Sequence, residues 1–265
     1  RKYQKTTEYQ SGDTGREAAL SDCILYTKDV GIELAVTEKL FYNEACSDRQ
    51  EGQRRKFPAC SFGKGETDME IREEVRKVKA AAPQMAALSE AQRNQALQAV
   101  SDALTARKEE IFAANEEDRR QAEKEGIAAP VLKRLKFDEG KLHDVTEGIR
   151  DLIGLKDPLR QTQLARELDE GLTLYRVTCP IGVIGVIFEA RPDALVQISA
   201  LCIKSGNCVI LKGGSEALRT NKILFQIIQK AALEAGLPEH SMLLLEARSE
   251  ISELLDCYGY VDLLI

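Results

Sequence analysis

Histidine is nearly absent from this 265-residue chain, with only His143 and His240 present. None of the seven cysteines falls into a CxxC pair, so a structural zinc site is not expected. An excess of basic residues is also missing. The 37 Lys and Arg are outnumbered by 43 Asp and Glu, for a net charge of -6. That balance argues against a nucleic-acid partner and leaves room only for a local basic patch. No apolar run approaches the roughly 18–20 residues that cross a bilayer, and no apolar signal segment opens the sequence, so no membrane partner is expected. The GKGE at 63–66 lacks the GxxxxGK[ST] spacing that surrounds a phosphate with backbone N–H groups.

What is present describes an ordinary globular chain, 43% hydrophobic and 30% charged, long enough for one large or two small domains. The odd set of cysteines (Cys23, Cys46, Cys60, Cys179, Cys202, Cys208 and Cys257) fits a reducing compartment with mostly buried thiols.

Residues 177–214 organise the rest. Two apolar runs, IGVIGVIF and CVILKGG, bracket a helical segment that opens after Pro192. Strand, helix, strand is the minimal crossover of a parallel sheet, and such sheets place ligands where their strands end. The fold class expected is α/β, a parallel sheet with flanking helices.

Upstream, residues 1–68 are polar and form a segment of unknown role, either a peripheral subdomain or a partly ordered arm. Its apolar interlude, GIELAVTEKLFYNEAC, predicts a short strand and then a helical turn. From about Glu70 helical spacing takes over, with Pro83 expected to interrupt or kink the first helix. Ser89 and Gln92 read as a capping box for a helical region that runs to Gly126. Leu97, Val100, Leu104 and Ile111 form its buried stripe, and the charges from Lys108 to Lys124 its solvated face. PVLKRLKF and KLHDVTEGIRDLIGL add two short amphipathic helices. TQLARELDEGLTLYRVTCP then predicts a hairpin bending at Asp169-Glu170-Gly171, with Leu172, Leu174 and Tyr175 apolar. It is either a projecting arm at 161–178 used in oligomerisation or a sheet-edge hairpin. Beyond the central unit come a helix ending near Gly236-Leu237-Pro238, a strand in SMLLLEA, a short helix in ISELLDCYGY and a last strand in VDLLI.

The candidate site residues gather at the strand ends. Lys212 is placed to hold ribose hydroxyls or phosphate while Gly213 and Gly214 admit a cofactor closely. Ser215 and Glu216 open the next helix, whose free N–H groups favour an anion. Glu189 and Arg191, beside Pro192, either pair with each other or free Arg191 to bind a substrate carboxylate or phosphate, with Asp193 next to them. Asn115 is either a helix-end polar residue or an inward-facing amide near the substrate, and Asn207 a turn residue. Gly182 and Gly185 lie within a strand, which removes them from a dinucleotide fingerprint. They serve either close packing or a flat surface against a cofactor. Cys202 and Cys208 read as structural, and Cys179, before Pro180, stays open. No catalytic residue and no metal ligand is nominated.

The joint run PIGVIGVIFEARPD, KSGN and ILKGG, within similarity extending over roughly residues 75–265, resembles the gamma-glutamyl phosphate reductase family. It is especially similar to the reductase part of the pyrroline-5-carboxylate synthases. The resemblance implies an aldehyde-dehydrogenase-like fold in which 69–265 is a partial cofactor-binding domain with a projecting hairpin. It further implies NADPH as cofactor and L-glutamyl 5-phosphate as the acyl phosphate reduced to glutamate 5-semialdehyde and phosphate, through a cysteine thioester. Lys212, Gly213, Gly214, Ser215 and Glu216 would then contact the cofactor, and Glu189, Arg191, Asp193 and Asn115 would lie toward the substrate. A homo-oligomer, a glutamate 5-kinase activity as partner, and a cytoplasmic or alternatively mitochondrial location also follow from it. Family members continue past a segment like VDLLI into a catalytic domain whose nucleophile none of these seven cysteines matches. The expectation is therefore a cofactor half, truncated before that domain and inactive alone. The alternative is a noncatalytic binding or scaffold module derived from the reductase.

Overall fold

The computed structural model of the chain describes residues 22–25, 34–37, 66–247 and 249–265. Strands β1 (Asp22–Leu25) and β2 (Leu34–Thr37) pair antiparallel as a unit by themselves. The strand expected in GIELAVTEKLFYNEAC is β2, and the helical turn expected after it lies outside the described residues.

The central sheet holds β5 (Val183–Ile187), β6 (Cys208–Lys212), β7 (Met242–Leu245) and β8 (Leu263–Leu264), all parallel, in the order β7-β6-β5-β8. A parallel strand covered on both faces reads as an unbroken apolar run rather than an alternating one, and every residue of β6 is buried. Helix α6 (Pro192–Lys204) makes the crossover from β5 to β6, with Pro192 in its first turn where a missing N–H costs nothing. Helix α7 (Leu218–Glu234) makes the crossover from β6 to β7.

Of the two glycines expected within the strand, Gly185 lies in β5 and Gly182 just before it, and both are explained by neighbours. Gly182 has φ +125°, and a Cβ there would collide with the Asp262 carboxylate. A Cβ at Gly185 would lie 2.7 Å from the Leu264 side chain. Close packing against the β8 segment thus accounts for both. Asp262 also accepts from Val183 N (2.9 Å) and from Lys79 of helix α1 (Glu66–Ala87), fastening that helix to the sheet.

Pro83 does not interrupt α1, which continues to Ala87. Val75, Val78, Ala81 and Met85 are all buried, and that packing outweighs the one backbone bond a late proline removes. The capping box is present at the start of α2 (Glu90–Ala106): Ser89 N donates to Gln92 Oε1 (2.9 Å) and Gln92 N to Ser89 Oγ (3.3 Å). The helical region expected to run unbroken to Gly126 is divided. At Arg107 the backbone leaves helical geometry (φ -107°, ψ 25°) and α3 (Lys108–Lys124) begins. The stripe survives the break, with Leu97, Val100 and Leu104 on α2 and Ile111 on α3 each at most 1% exposed. Helices α4 (Ala129–Leu135) and α5 (Glu139–Gly154) follow as expected, and α8 (Glu250–Leu255) precedes β8.

Strands β3 (Thr162–Asp169) and β4 (Leu172–Val177) form their own two-stranded sheet and are exposed at every position. This corrects the sheet-edge reading, because neither strand bonds to the central sheet. The hairpin is anchored at its root, where Thr178 Oγ1 donates to Pro158 O (2.7 Å) and accepts from Gln161 N (2.9 Å).

The KSGN run fastens the opposite end of the sheet. Lys204, 1% exposed, donates to Asn94 Oδ1 (3.0 Å) and Ile153 O (3.2 Å) and pairs with Glu90 (3.5 Å). Its own carbonyl accepts from Arg93 Nη1 (2.8 Å), whose other branch pairs with Asp157 (2.7 Å). Asn207 is more than a turn residue: its Oδ1 accepts from Gly182 N (2.9 Å) and sets the start of β5.

Candidate functional site

Lys212 ends β6 at the carboxyl edge of the sheet, where its side chain is buried and its ammonium donates to Gly213 O (2.5 Å). Among the described residues no carboxylate pairs with it. The two glycines after it are required by what lies over them. A Cβ on Gly213 would collide with the Asn221 amide and stand 3.2 Å from Phe188, and one on Gly214 would lie 2.5 Å from the Glu216 carboxylate.

Glu216 belongs to a 3-10 turn, Ser215–Ala217, and its Oε1 accepts from Ala190 N (3.0 Å). That bond joins the KGGSE segment to the Glu189–Arg191 loop that leads into α6 and Asp193, so the two groups of candidate residues meet in one place. Ser215 is exposed on the same turn.

The expectation of a free helix N-terminus after Glu216 is overturned. The carboxylate of Asp118, from α3, accepts from Arg219 N (3.3 Å), Thr220 N (2.8 Å), Thr220 Oγ1 (2.7 Å) and Arg219 Nη1 (3.3 Å). Ala217 N and Leu218 N are bonded to Gly214 O and Ser215 O. A buried internal anion therefore already occupies the positive end of α7.

Asn115 lies mid-helix in α3, which corrects the helix-end reading. It faces inward. Its Nδ2 donates to Leu135 O (2.9 Å) and Thr220 Oγ1 (3.3 Å), and its Oδ1 accepts from Phe137 N (2.8 Å). The amide ties α4 and α7 to α3.

Arg191 does not pair with Glu189. Its Nη2 lies 3.1 Å from Asp193 Oδ2, and Glu189 is exposed. The reason is burial: the Asp193 carboxylate is 5% exposed and holds the cation, whereas Glu189 can be solvated by water. Lys141 of α5 reaches the same oxygen at 3.4 Å.

Sequence reading missed Asp118, Lys141 and Asn221. Asp118 stands three residues after Asn115, so the two share one face of α3. Both lie inside a charge run whose solvated character hides them. Asn221 is 2% exposed and its Oδ1 has no partner.

Burial raises the thiols of Cys202 and Cys208 to about 12. At pH 7 only about one in 100,000 such groups is a thiolate, which removes both as nucleophiles. In maleimide labelling of the folded chain at pH 7, Cys202 and Cys208 are expected to stay unmodified while half-buried Cys179 reacts. Modification of either buried residue at the rate of Cys179 would contradict this assignment. Because both pKa values are raised, the unfolded state loses these protons first as pH climbs. Stability should therefore fall from about pH 8.5 upward, and Cys202→Ala should flatten that part of the profile.

Residues 59–256 match the family described as the aldehyde dehydrogenase family. The gamma-glutamyl phosphate reductase of Ruminiclostridium cellulolyticum is 53% identical over 197 residues, 74% of this chain and 46% of that protein. Its counterpart from Acetivibrio thermocellus is 55% identical over the same shares. Among solved structures, the gamma-glutamyl phosphate reductase of Thermotoga maritima superposes with a TM-score of 0.71 at 32% identity, covering 74% of this chain and 48% of that one. The Saccharomyces cerevisiae reductase gives 0.68 at 38% identity, over 75% and 50%. The chain spans about half the length of the curated relatives it matches. It belongs to the aldehyde dehydrogenase family, and within it is similar to the gamma-glutamyl phosphate reductases.

Proposed function

We propose that residues 69–265 are the nucleotide-binding part of a reductase that converts L-glutamyl 5-phosphate to L-glutamate 5-semialdehyde and phosphate with NADPH. The observation that carries this reading is Lys212: a buried ammonium at the carboxyl end of a parallel strand, bonded only to a neutral carbonyl, with two side-chain-free residues behind it. A ribose hydroxyl or phosphate supplies the acceptor such a group lacks. Gly213 and Gly214 would let Asn221 and Glu216 pack close to the strand end beside the ligand, and Glu216 would accept from a hydroxyl, with Ser215 next to it. The α7 terminus takes no part, since Asp118 fills it. When bound, the nicotinamide supplies the hydride. On this reading the acyl-transfer nucleophile would be supplied by the part of the relatives that this chain does not match.

Arg191 and Asp193 are assigned to the substrate side with Glu189, and Asn115 supports that side by holding α3 to α7. The exposed apolar hairpin, with Leu172, Leu174 and Tyr175 uncovered, supports a homo-oligomer. A glutamate 5-kinase activity is the partner reaction that supplies the acyl phosphate. The location proposed is cytoplasmic, with mitochondrial as the alternative. No helix among the described residues is long and apolar enough to cross a membrane.

The test is a titration of the chain with NADPH and with NADH, followed by nicotinamide fluorescence. Saturable binding of NADPH, tighter than NADH, is the expected result. Absence of binding by both would reject this reading in favour of the noncatalytic binding module.

A further inference from the structure

Local electrostatics are wrong at two places that meet. Lys141 stands in the first turn of α5, where Asp138 caps the helix through Lys141 N (3.1 Å). Arg191 is the N-cap residue of α6 and makes no side-chain capping bond there. Helix N-termini favour anions, so a cation in the first turn opposes the helix dipole. Two such misfits converge on one oxygen, Asp193 Oδ2, at 3.4 Å and 3.1 Å. Departures from local preference mark function or strain, and no residue among these three has a positive φ.

We propose that Lys141 and Arg191 form a two-cation seat for an oxyanion, a carboxylate or a phosphate, with Asp193 as the buried post that positions both. One cation suffices to pair the 5% exposed Asp193 carboxylate, so the second leaves the seat with a net positive charge. Nitrogens that both reach one oxygen are close enough to reach one anion together. Both cations stay accessible, at 45% and 42% side-chain exposure. The guanidinium keeps four of its five donors, and the ammonium two of its three. Assigning the anion to the acyl phosphate or carboxylate of the substrate rests on the reductase reading, whereas the seat itself does not. In that assignment Lys141 and Arg191 bind and orient the substrate, and Asp193 is a positioning residue.

The seat is tested by amine-selective acetylation of the folded chain, read lysine by lysine by mass spectrometry, at constant ionic strength held with chloride. Inorganic phosphate and glutarate are the two probes. At millimolar concentration one or both is expected to slow modification of Lys141 roughly threefold or more, while Lys230, 71% exposed, is unaffected. Which probe protects identifies the phosphate or the carboxylate. Protection should disappear in Arg191→Gln, with folding checked by circular dichroism. Equal rates at Lys141 with and without both probes, or equal slowing at Lys230, would overturn the seat. A parallel NADPH titration separates the two claims: protection without nucleotide binding removes the reductase reading only, and nucleotide binding without protection removes the seat only.

Discussion

Asp118→Ala is expected to destabilise the chain by about 3 kcal/mol, a drop of about 10 °C in Tm. The carboxylate is 2% exposed and accepts four hydrogen bonds from the first turn of α7. Alanine would strand two backbone donors and the Thr220 hydroxyl in a site too closed for water to replace the lost acceptor, and would leave a cavity. Asp118→Asn keeps the shape but turns an N–H₂ toward one of those donors, so a loss of about 2 kcal/mol is expected. Urea unfolding, with the midpoint shifted at constant m-value, measures both. Thr220 Oγ1 also accepts from Asn115 Nδ2, so Asn115, Thr220 and Asp118 form one chain of bonds between α3 and α7. Asn115→Ala combined with Asp118→Ala should therefore cost less than the two separately. Full additivity, or a single-site loss under 1 kcal/mol, would show that α7 is held by its apolar face alone.

That network explains why the sequence was readable in some places and opaque in others. The apolar runs of β5 and β6, the crossover helix after Pro192 and the hairpin around Gly171 each carry a local signal: unbroken hydrophobicity, a first-turn proline, a turn glycine at φ +76°. Local signals survive translation into structure because the physics behind them is local. The Ser89–Gln92 box is legible for the same reason. Asp118 caps a helix one hundred residues away, and nothing near it in the chain distinguishes it from Glu116, Glu117 or Asp102. Lys141 is equally ordinary until α5 and α6 are brought together. Pro83 reads as a break because its local cost is visible in the sequence, whereas the burial of Val75, Val78 and Met85 that opposes it is a property of the fold. The KSGN run shows a further limit. A motif specific enough to suggest a family proves to be a fastening of α2, α5 and α6. Family specificity and contact with substrate are different properties of a motif.

Lys212→Met should separate function from stability in opposite directions. Removing an ammonium from water is costly unless a counter-charge or several acceptors compensate, and here the side chain is 6% exposed with Gly213 O as its acceptor. Methionine keeps most of the apolar stem and occupies similar volume, so packing in β6 is preserved. The variant is expected to be as stable as the parent or more stable, by about 1 kcal/mol. Its affinity for NADPH is expected to fall about 100-fold, equivalent to about 3 kcal/mol, because a charge-assisted bond to the nucleotide is lost at a desolvated site. A purely structural lysine predicts the reverse on both axes: lower stability through the unpaired Gly213 carbonyl and unchanged binding. Lys212→Arg sharpens the comparison, since a guanidinium keeps the charge but is a larger, planar group to place where the lysine side chain is buried. It should lose both stability and affinity. Denaturant midpoints and NADPH titrations on the same three proteins decide the matter, and a Lys212→Met variant that binds NADPH normally would remove Lys212 from the cofactor site.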